Sequence, residues 1–289
     1  QISYLQNPVN VGTYLITITG KENFKGTIEK YFDVVSISLN DAVISFDSEK
    51  FNVNEVTYTG LSLKQTLLDS LIVTIGDVTL NPYDYEVIFN DSSTRYLIDV
   101  GTKGFTLIQN NKNIVGEKSH SFIIVQKSFE DTMLEVPKQQ FVYTGSGIEP
   151  IYYLTFNDIA LILGTDYNII YTENVEACPN TSAASFTVIG TGNFTGSLVY
   201  SFSIKQATPT IEIKEEQYFF YGDIATAEEY YREYLNCSTI GTLSFKDKKL
   251  TLGKNTIHYA FTPTDIRNYK NVEGNIDVSG NRLGGIELG

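Results

Sequence analysis

Four stretches of this chain repeat one another, and that self-similarity limits the fold more than any other feature. They are "VGTYLITITGKENFKGTIEKYFDV" at 11–34, "VGTKGFTLIQNNKNIVGEKSHSFIIV" at 100–125, "TSAASFTVIGTGNFTGSLVYSFSI" at 181–204 and "LGKNTIHYAFTPTDIRNYKNVEGNIDV" at 252–278. Each reads as a strand, a polar turn, a glycine and a second strand. An asparagine marks each turn: Asn23, Asn113, Asn193 and Asn268, at intervals of 90, 80 and 75 residues. The upstream segments repeat as well. "VTYTGLSL" at 56–63 parallels "FVYTGSGI" at 141–148, and "LIVTIGDVTLNPYDYEVIF" at 71–89 parallels "YYLTFNDIALILGTDYNIIY" at 152–171.

Within these runs the apolar period is two. Tyr14, Ile16 and Ile18 alternate with Thr13, Leu15, Thr17 and Thr19; Ile257, Tyr259 and Phe261 share one face. Phe32 and Val34, Phe122 and Ile124, and Phe202 and Ile204 fill matching columns of the closing strands. Such alternation predicts strands with one face in a core and one in water. Turn signals at short intervals predict β-sandwiches. The composition agrees, being rich in tyrosine, phenylalanine and β-branched residues. The expected fold class is therefore all-β, in tandem sandwich domains arranged end to end, the first one incomplete.

The predicted boundaries are 1–36, the C-terminal half of a repeat; 37–126 and 127–205, two complete repeats; 206–279, a divergent repeat; and 280–289, a flexible tail. Helical spacing of Ile224, Ala227, Tyr231 and Tyr234 or Leu235 suggests a short helix at 224–235, and "SLKQTLLDSL" at 62–71 a weaker one. The joints "VVSISLND", "VQKSFED" and "IKQATPT" have no Gly/Ser slack. They predict neighbouring units held closely, as in a semi-rigid rod.

The frame "YTG…DY…VGT…ITITGKENFKGTIEKYFDV" resembles the tandem Ig-like repeats of large bacterial cell-surface, adhesin-type proteins, and "LTLGKNTIHYAFTPTDIRNYKNVEGNIDV" resembles a variant of them. The resemblance covers 1–279. It implies Ig-like sandwiches in the stalk of a secreted or cell-wall-anchored protein, extracellular and at the cell surface, with neighbouring repeats of the same chain as partners. It carries no shared catalytic residues. The chain departs from the pattern at "VEACPNTSAAS", where the Asn-Val-Gly-Thr turn is expected. The other readings are a module binding a host protein or a glycan, and a filament subunit assembled by strand addition at the incomplete first repeat.

Several function classes are disfavoured by chemistry. A net charge of −13 over 289 residues repels phosphate backbones, so no nucleic acid is expected. No apolar run approaches the ~20 residues of a membrane helix, so no membrane insertion is expected, and no signal peptide or sorting signal is read in the chain. "GTGNFTG" at 190–196 looks like a phosphate loop, but a strand follows it instead of a helix. His120 and His258 fall in different repeats, which argues against a shared metal or triad. His258 is expected in solvent, and His120 partly covered. The pairs Glu215-Glu216 and Glu228-Glu229 are adjacent and would diverge on a strand. No enzyme activity is expected, and no catalytic, cofactor-binding or metal residue is assigned.

Calcium is the one ion left open: Asp41, Asp47, Asp131 and Asp265 lie near joints or loops, without the D-x-D-x-D-G spacing. Cys178 and Cys237 have no CxxC partner; free thiols or a single disulfide both remain open. Lys214 and Asn275 are a candidate isopeptide pair. Asn90, Asn180, Asn193 and Asn236 head glycosylation sequons. The twenty tyrosines are expected to serve packing more than a sugar platform.

Overall fold

A computed structural model of the chain describes residues 2–4, 8–52, 55–179, 181, 183–213, 218–220, 235–246 and 251–281. Strands are the main regular structure of the described residues, with one short α-helix, Lys64–Ser70, inside the weaker of the two helix predictions. Most of the stronger prediction, 224–235, lies outside the described residues. Its last residue, Leu235, opens the strand Leu235–Cys237 instead of closing a helix, because it pairs with Ile213. Glu215, Glu216, Glu228, Glu229, Lys214 and Asn180 also lie outside. The final strand runs Val272–Asn281, two residues into the predicted tail.

Contacts divide the chain into two compact units: 1–129 with 164–167 and 190–196, and the remainder. In the first unit, alternation places a three-stranded antiparallel sheet at Ile2–Tyr4, Gly12–Thr19 and Thr27–Val34. Its register sets Tyr14 opposite Phe32 and Ile18 opposite Ile28, so the apolar residues share one face. A four-stranded sheet follows, ordered Val56–Thr57, Glu117–Val125, Gly101–Gln109, Tyr85–Phe89. A second sheet pairs Val43–Phe46, Leu71–Ile75 and Val78–Thr79.

These last two sheets share one core. Phe105, Leu107, Phe122 and Ile124 project from the four-stranded sheet, and Val73 from the other, and all are buried. Leu67 closes the core from the helix. Phe105 is fully buried, with Phe46 and Phe89 edge-on to it at 6.4 and 6.2 Å between ring centres.

His120 extends the same column, as its parity with Phe122 predicts. Its ring lies 5.4 Å from Phe46 and 5.7 Å from Phe105, and its Nε2 is buried without a hydrogen-bond partner. Burial lowers its pKa from the ordinary imidazole value. The unfolded chain therefore takes up a proton at a higher pH than the folded one, and stability falls as pH falls through that window. We expect His120→Leu to flatten the acid side of the stability profile between about pH 7 and pH 5. Thermal melts at stepped pH check this, and parallel profiles for both chains would refute it.

The second unit is built the same way. Strand Ala184–Gly190 pairs Ser197–Phe202, burying Ala184, Phe186, Val188, Leu198 and Phe202. Tyr152 and Tyr200 lie against the fully buried Phe186, with ring centres 5.3 and 5.5 Å away. Leu134–Glu135, Tyr153–Phe156 and Ile159–Ala160 form a further sheet, from which Leu154 is buried. Towards the C-terminus a four-stranded sheet runs Tyr218–Phe220, Val272–Asn281, Gly253–Pro263, Gly241–Phe245, with Ile211–Ile213 paired to Leu235–Cys237. Ile257, Phe261, Ile276 and Val278 hold its core.

Candidate functional site, the asparagine clamps

Each marker asparagine sits at the tip of a β-hairpin, as the turn pattern predicts. Three of them do more than turn the chain. Their carboxamides reach a backbone about a hundred residues away and grip it in the same manner each time.

The backbone geometry that presents them recurs. At the first and third tips the loop is closed by Gly20 N–H donating to the Gly26 carbonyl at 3.0 Å and Gly190 N–H to the Gly196 carbonyl at 2.9 Å. Inside the loops Phe24, Ile114 and Phe194 donate back to the carbonyls of Lys21, Asn111 and Thr191. Gly26, Gly116 and Gly196 end their loops with φ of 103°, 78° and 83°, a region that glycine enters without a Cβ penalty. At Gly116 a Cβ would also stand 2.7 Å from Asn40 Oδ1.

In the first clamp Asn113 Oδ1 accepts from Val11 N–H at 2.9 Å. Its Nδ2 donates to Asn10 Oδ1 at 3.3 Å and the Val9 carbonyl at 3.4 Å. In the second, Asn193 Oδ1 accepts from Val100 N–H at 2.9 Å and its Nδ2 donates to Asp99 Oδ1 at 2.9 Å. In the third, Asn268 Oδ1 accepts from Ala177 N–H at 2.8 Å, and its Nδ2 donates to Glu176 Oε2 at 2.6 Å and Asp265 Oδ2 at 2.8 Å. Each carboxamide thus takes a backbone N–H and returns a proton to the side chain of the residue just before it. Asn, Asp and Glu fill that preceding position. The longer segment "ACPNTSAAS" does not break the pattern, because Glu176-Ala177 stands in for Asp99-Val100.

The same asparagines also hold the incoming connection by their own carbonyls. Ile37, Lys127 and Ala207 donate to the carbonyls of Asn113, Asn193 and Asn268 at 3.0, 3.0 and 2.9 Å. Short parallel pairings follow, Ile37 with Ile114, Lys127 with Phe194, and Ala207 with Tyr269. Two linker glutamines add to this: Gln126 Nε2 donates to the Gly192 and Phe194 carbonyls, and Gln206 Nε2 to those of Ile266 and Arg267. The first connection carries Val35 and Ser36 here and lacks the glutamine.

An aromatic contact accompanies the two later clamps. Tyr58 and Tyr143, the tyrosines of the two Tyr-Thr-Gly turns, meet Phe194 and Tyr269 edge-on, each with ring centres 5.4 Å apart. Short parallel pairing, Phe141–Val142 with Ile204–Lys205 and Val56–Thr57 with Ile124–Val125, fixes both tyrosines beside the linker. Ile114 and Phe194, the residues after the marker, are 2% and 1% exposed, and Asn268 itself is 3% exposed.

Charge differs among the three. The first clamp is neutral. At the second, the Arg95 guanidinium hydrogen-bonded to Asp99 holds its carboxyl below the usual carboxylate range, against the effect of burial and with help from the Asn193 amide. The third sets two carboxylates on one amide, with Arg267 Nε 3.8 Å from Glu176. The sequon at Asn193 heads the second clamp: its Nδ2 is already engaged, so a glycan there would break the contact.

The remaining candidates do not converge. His258 is exposed and hydrogen-bonded to Asn275. Asp47 pairs with Lys50 at 3.3 Å, while Asp41 and Asp131 lie in separate single turns. Among the described residues, no group of three or more His, Cys, Asp or Glu is placed to hold a metal ion. Cys178 and Cys237 are unpaired. A hollow of about 690 Å³ lies over Ser244, His258, Glu273 and Asn275 and is open on the solvent side. Among the described residues no helix is long and apolar enough to cross a membrane.

No protein-family model matches the chain, and no curated protein matches it. Among solved structures it is similar to domains 7, 8 and 9 of the S-layer protein SbsC, at 11% identity and a TM-score of 0.26, over 84% of this chain and 98% of that one. The likeness is a loose one.

Proposed function

We propose that this chain is a run of tandem Ig-like β-sandwich repeats serving as the spacer, or stalk, of a secreted or wall-anchored cell-surface protein, with a mechanical task and no catalytic one. One observation carries this reading: Asn113, Asn193 and Asn268 each grip a backbone N–H about a hundred residues earlier in the chain, in the same manner each time. An asparagine that grips a backbone N–H, returns a proton to the preceding side chain and holds the incoming linker restrains a joint without needing a large interface. Repetition of the device at three joints is what a spacer requires, since each repeat contacts mainly its neighbours. The net charge of −13 favours solubility.

The test is X-ray scattering on the chain and on a variant carrying Asn113→Ala, Asn193→Ala and Asn268→Ala. The native chain is expected to give one well-defined maximum dimension, and the variant a broadened distribution with domain folds retained by circular dichroism. Scattering from the native chain that already fits freely jointed beads would refute the spacer reading.

A further inference from the structure

The fourth marker, Asn23, has the same tip but a different setting. The tip at 20–26 is closed by the same glycine pair as the tip at 190–196, with the same internal bond, so its conformation does not await a partner. Yet Asn23 is exposed and Phe24 is 78% exposed, whereas Ile114 and Phe194 at the equivalent position are almost fully buried. A preformed loop that presents an amide and a phenyl ring to water has the form of the docking half of the three joints above.

We propose that the 20–26 tip plugs into a further body of this repeat type carried ahead of residue 1 on the same polypeptide. The three clamps specify its receiving face. It has an Asn, Asp or Glu whose side chain accepts from Asn23 Nδ2, a following residue whose backbone N–H donates to Asn23 Oδ1, and a Tyr-Thr-Gly tyrosine edge-on to Phe24. The joint is one amide grip and one aromatic pair, far short of the roughly 1,000 Å² that separately diffusing partners need. It therefore depends on a short tether to raise the effective concentration, as the one- or two-residue connections do at the other joints. This inference rests on the tandem-repeat reading above.

The chain has no tryptophan, so a single Phe24→Trp substitution gives an unambiguous reporter. It is placed in the chain as it stands and in a chain extended by its own residues 37–167 ahead of residue 1. In the extended chain Asp166-Tyr167 then precedes residue 1 as Asp84-Tyr85 precedes the corresponding strand of the second repeat. Tyr269→Trp in the unextended chain serves as the reference for a joint already formed.

The expected result is emission at shorter wavelength and severalfold weaker acrylamide quenching for Phe24→Trp in the extended chain than in the unextended one. Tyr58→Ala in the added copy should reverse the shielding. Equal quenching in both chains, with the Tyr269→Trp reporter shielded, would overturn the docking of this tip while leaving the other joints standing. A freely quenched Tyr269→Trp reporter would overturn the repeat joints and this proposal with them. Shielding that grows with protein concentration in the unextended chain would assign the site to a second copy and overturn the tethered body.

Discussion

Replacing Asn268 by aspartate is expected to open the third joint and to cost the C-terminal repeat about 2–4 kcal/mol at neutral pH. The native amide donates both protons to carboxylates, Glu176 and Asp265, and is almost fully buried. An aspartate there has no proton to give and adds a third negative charge to the pair. Arg267, at 3.8 Å from Glu176, is too distant and too exposed to neutralise all three. Like charges raise the folded-state pKa values of such a cluster above their unfolded values. Proton uptake therefore favours the folded state, and the loss shrinks as pH falls through the carboxylate range.

The comparison is Asn113→Asp in the first joint. There the partner side chain is the amide of Asn10, which can turn its nitrogen towards the new carboxylate, so the cost should stay under about 1 kcal/mol. Urea unfolding of both variants at neutral and acid pH measures this. Equal, pH-independent losses would show that the amide grip does not bear on stability at the third joint.

Phe105→Ala is expected to cost about 3–5 kcal/mol, the largest single loss from a core truncation in the first unit. The ring is fully buried between Phe46, Phe89 and His120, which stand on different strands, so the void cannot be closed by moving one of them. The core cluster that holds Phe105 belongs to the first unit, so the loss should appear as an early, separate transition, with the second unit unfolding at its native denaturant concentration. Calorimetry or fluorescence-detected unfolding distinguishes the two transitions. A single shifted transition for the whole chain would show that the cores unfold as one.

Much of this was legible before any coordinates. The alternation in "TYLITITG" marks a strand because successive side chains point to opposite faces, and only a chain with one wet and one dry face needs that pattern. The self-similarity marked where the hairpins lie, since turn residues recur wherever the same backbone path recurs. His120 read as partly covered and His258 as exposed from parity alone. Helical spacing was a weaker guide: Leu235 fits a helical stripe at 224–235 but opens a strand, because short apolar runs satisfy both periods and a cross-strand partner decides between them.

The clamp itself was not legible. Asn113, Asn193 and Asn268 announced turns, but their partners stand 102, 93 and 91 residues earlier. No local rule connects those positions. The sequence by itself assigns no role to Asn10, Asp99, Glu176, Gln126 or Gln206. The trace of the clamp in the sequence is an Asn, Asp or Glu ahead of each receiving strand, two residues before it at Asn10 and Asp99 but eight before it at Glu176.

Residue order alone was enough for the strands, their turns and the inward columns, because those follow from the geometry of neighbouring residues and the removal of apolar surface from water. Which amide meets which backbone N–H depended on bringing distant hairpin tips and strand entrances within 3 Å of each other. That is a property of folded bodies in contact, and it appears only once the cores have formed and hold the tips in place.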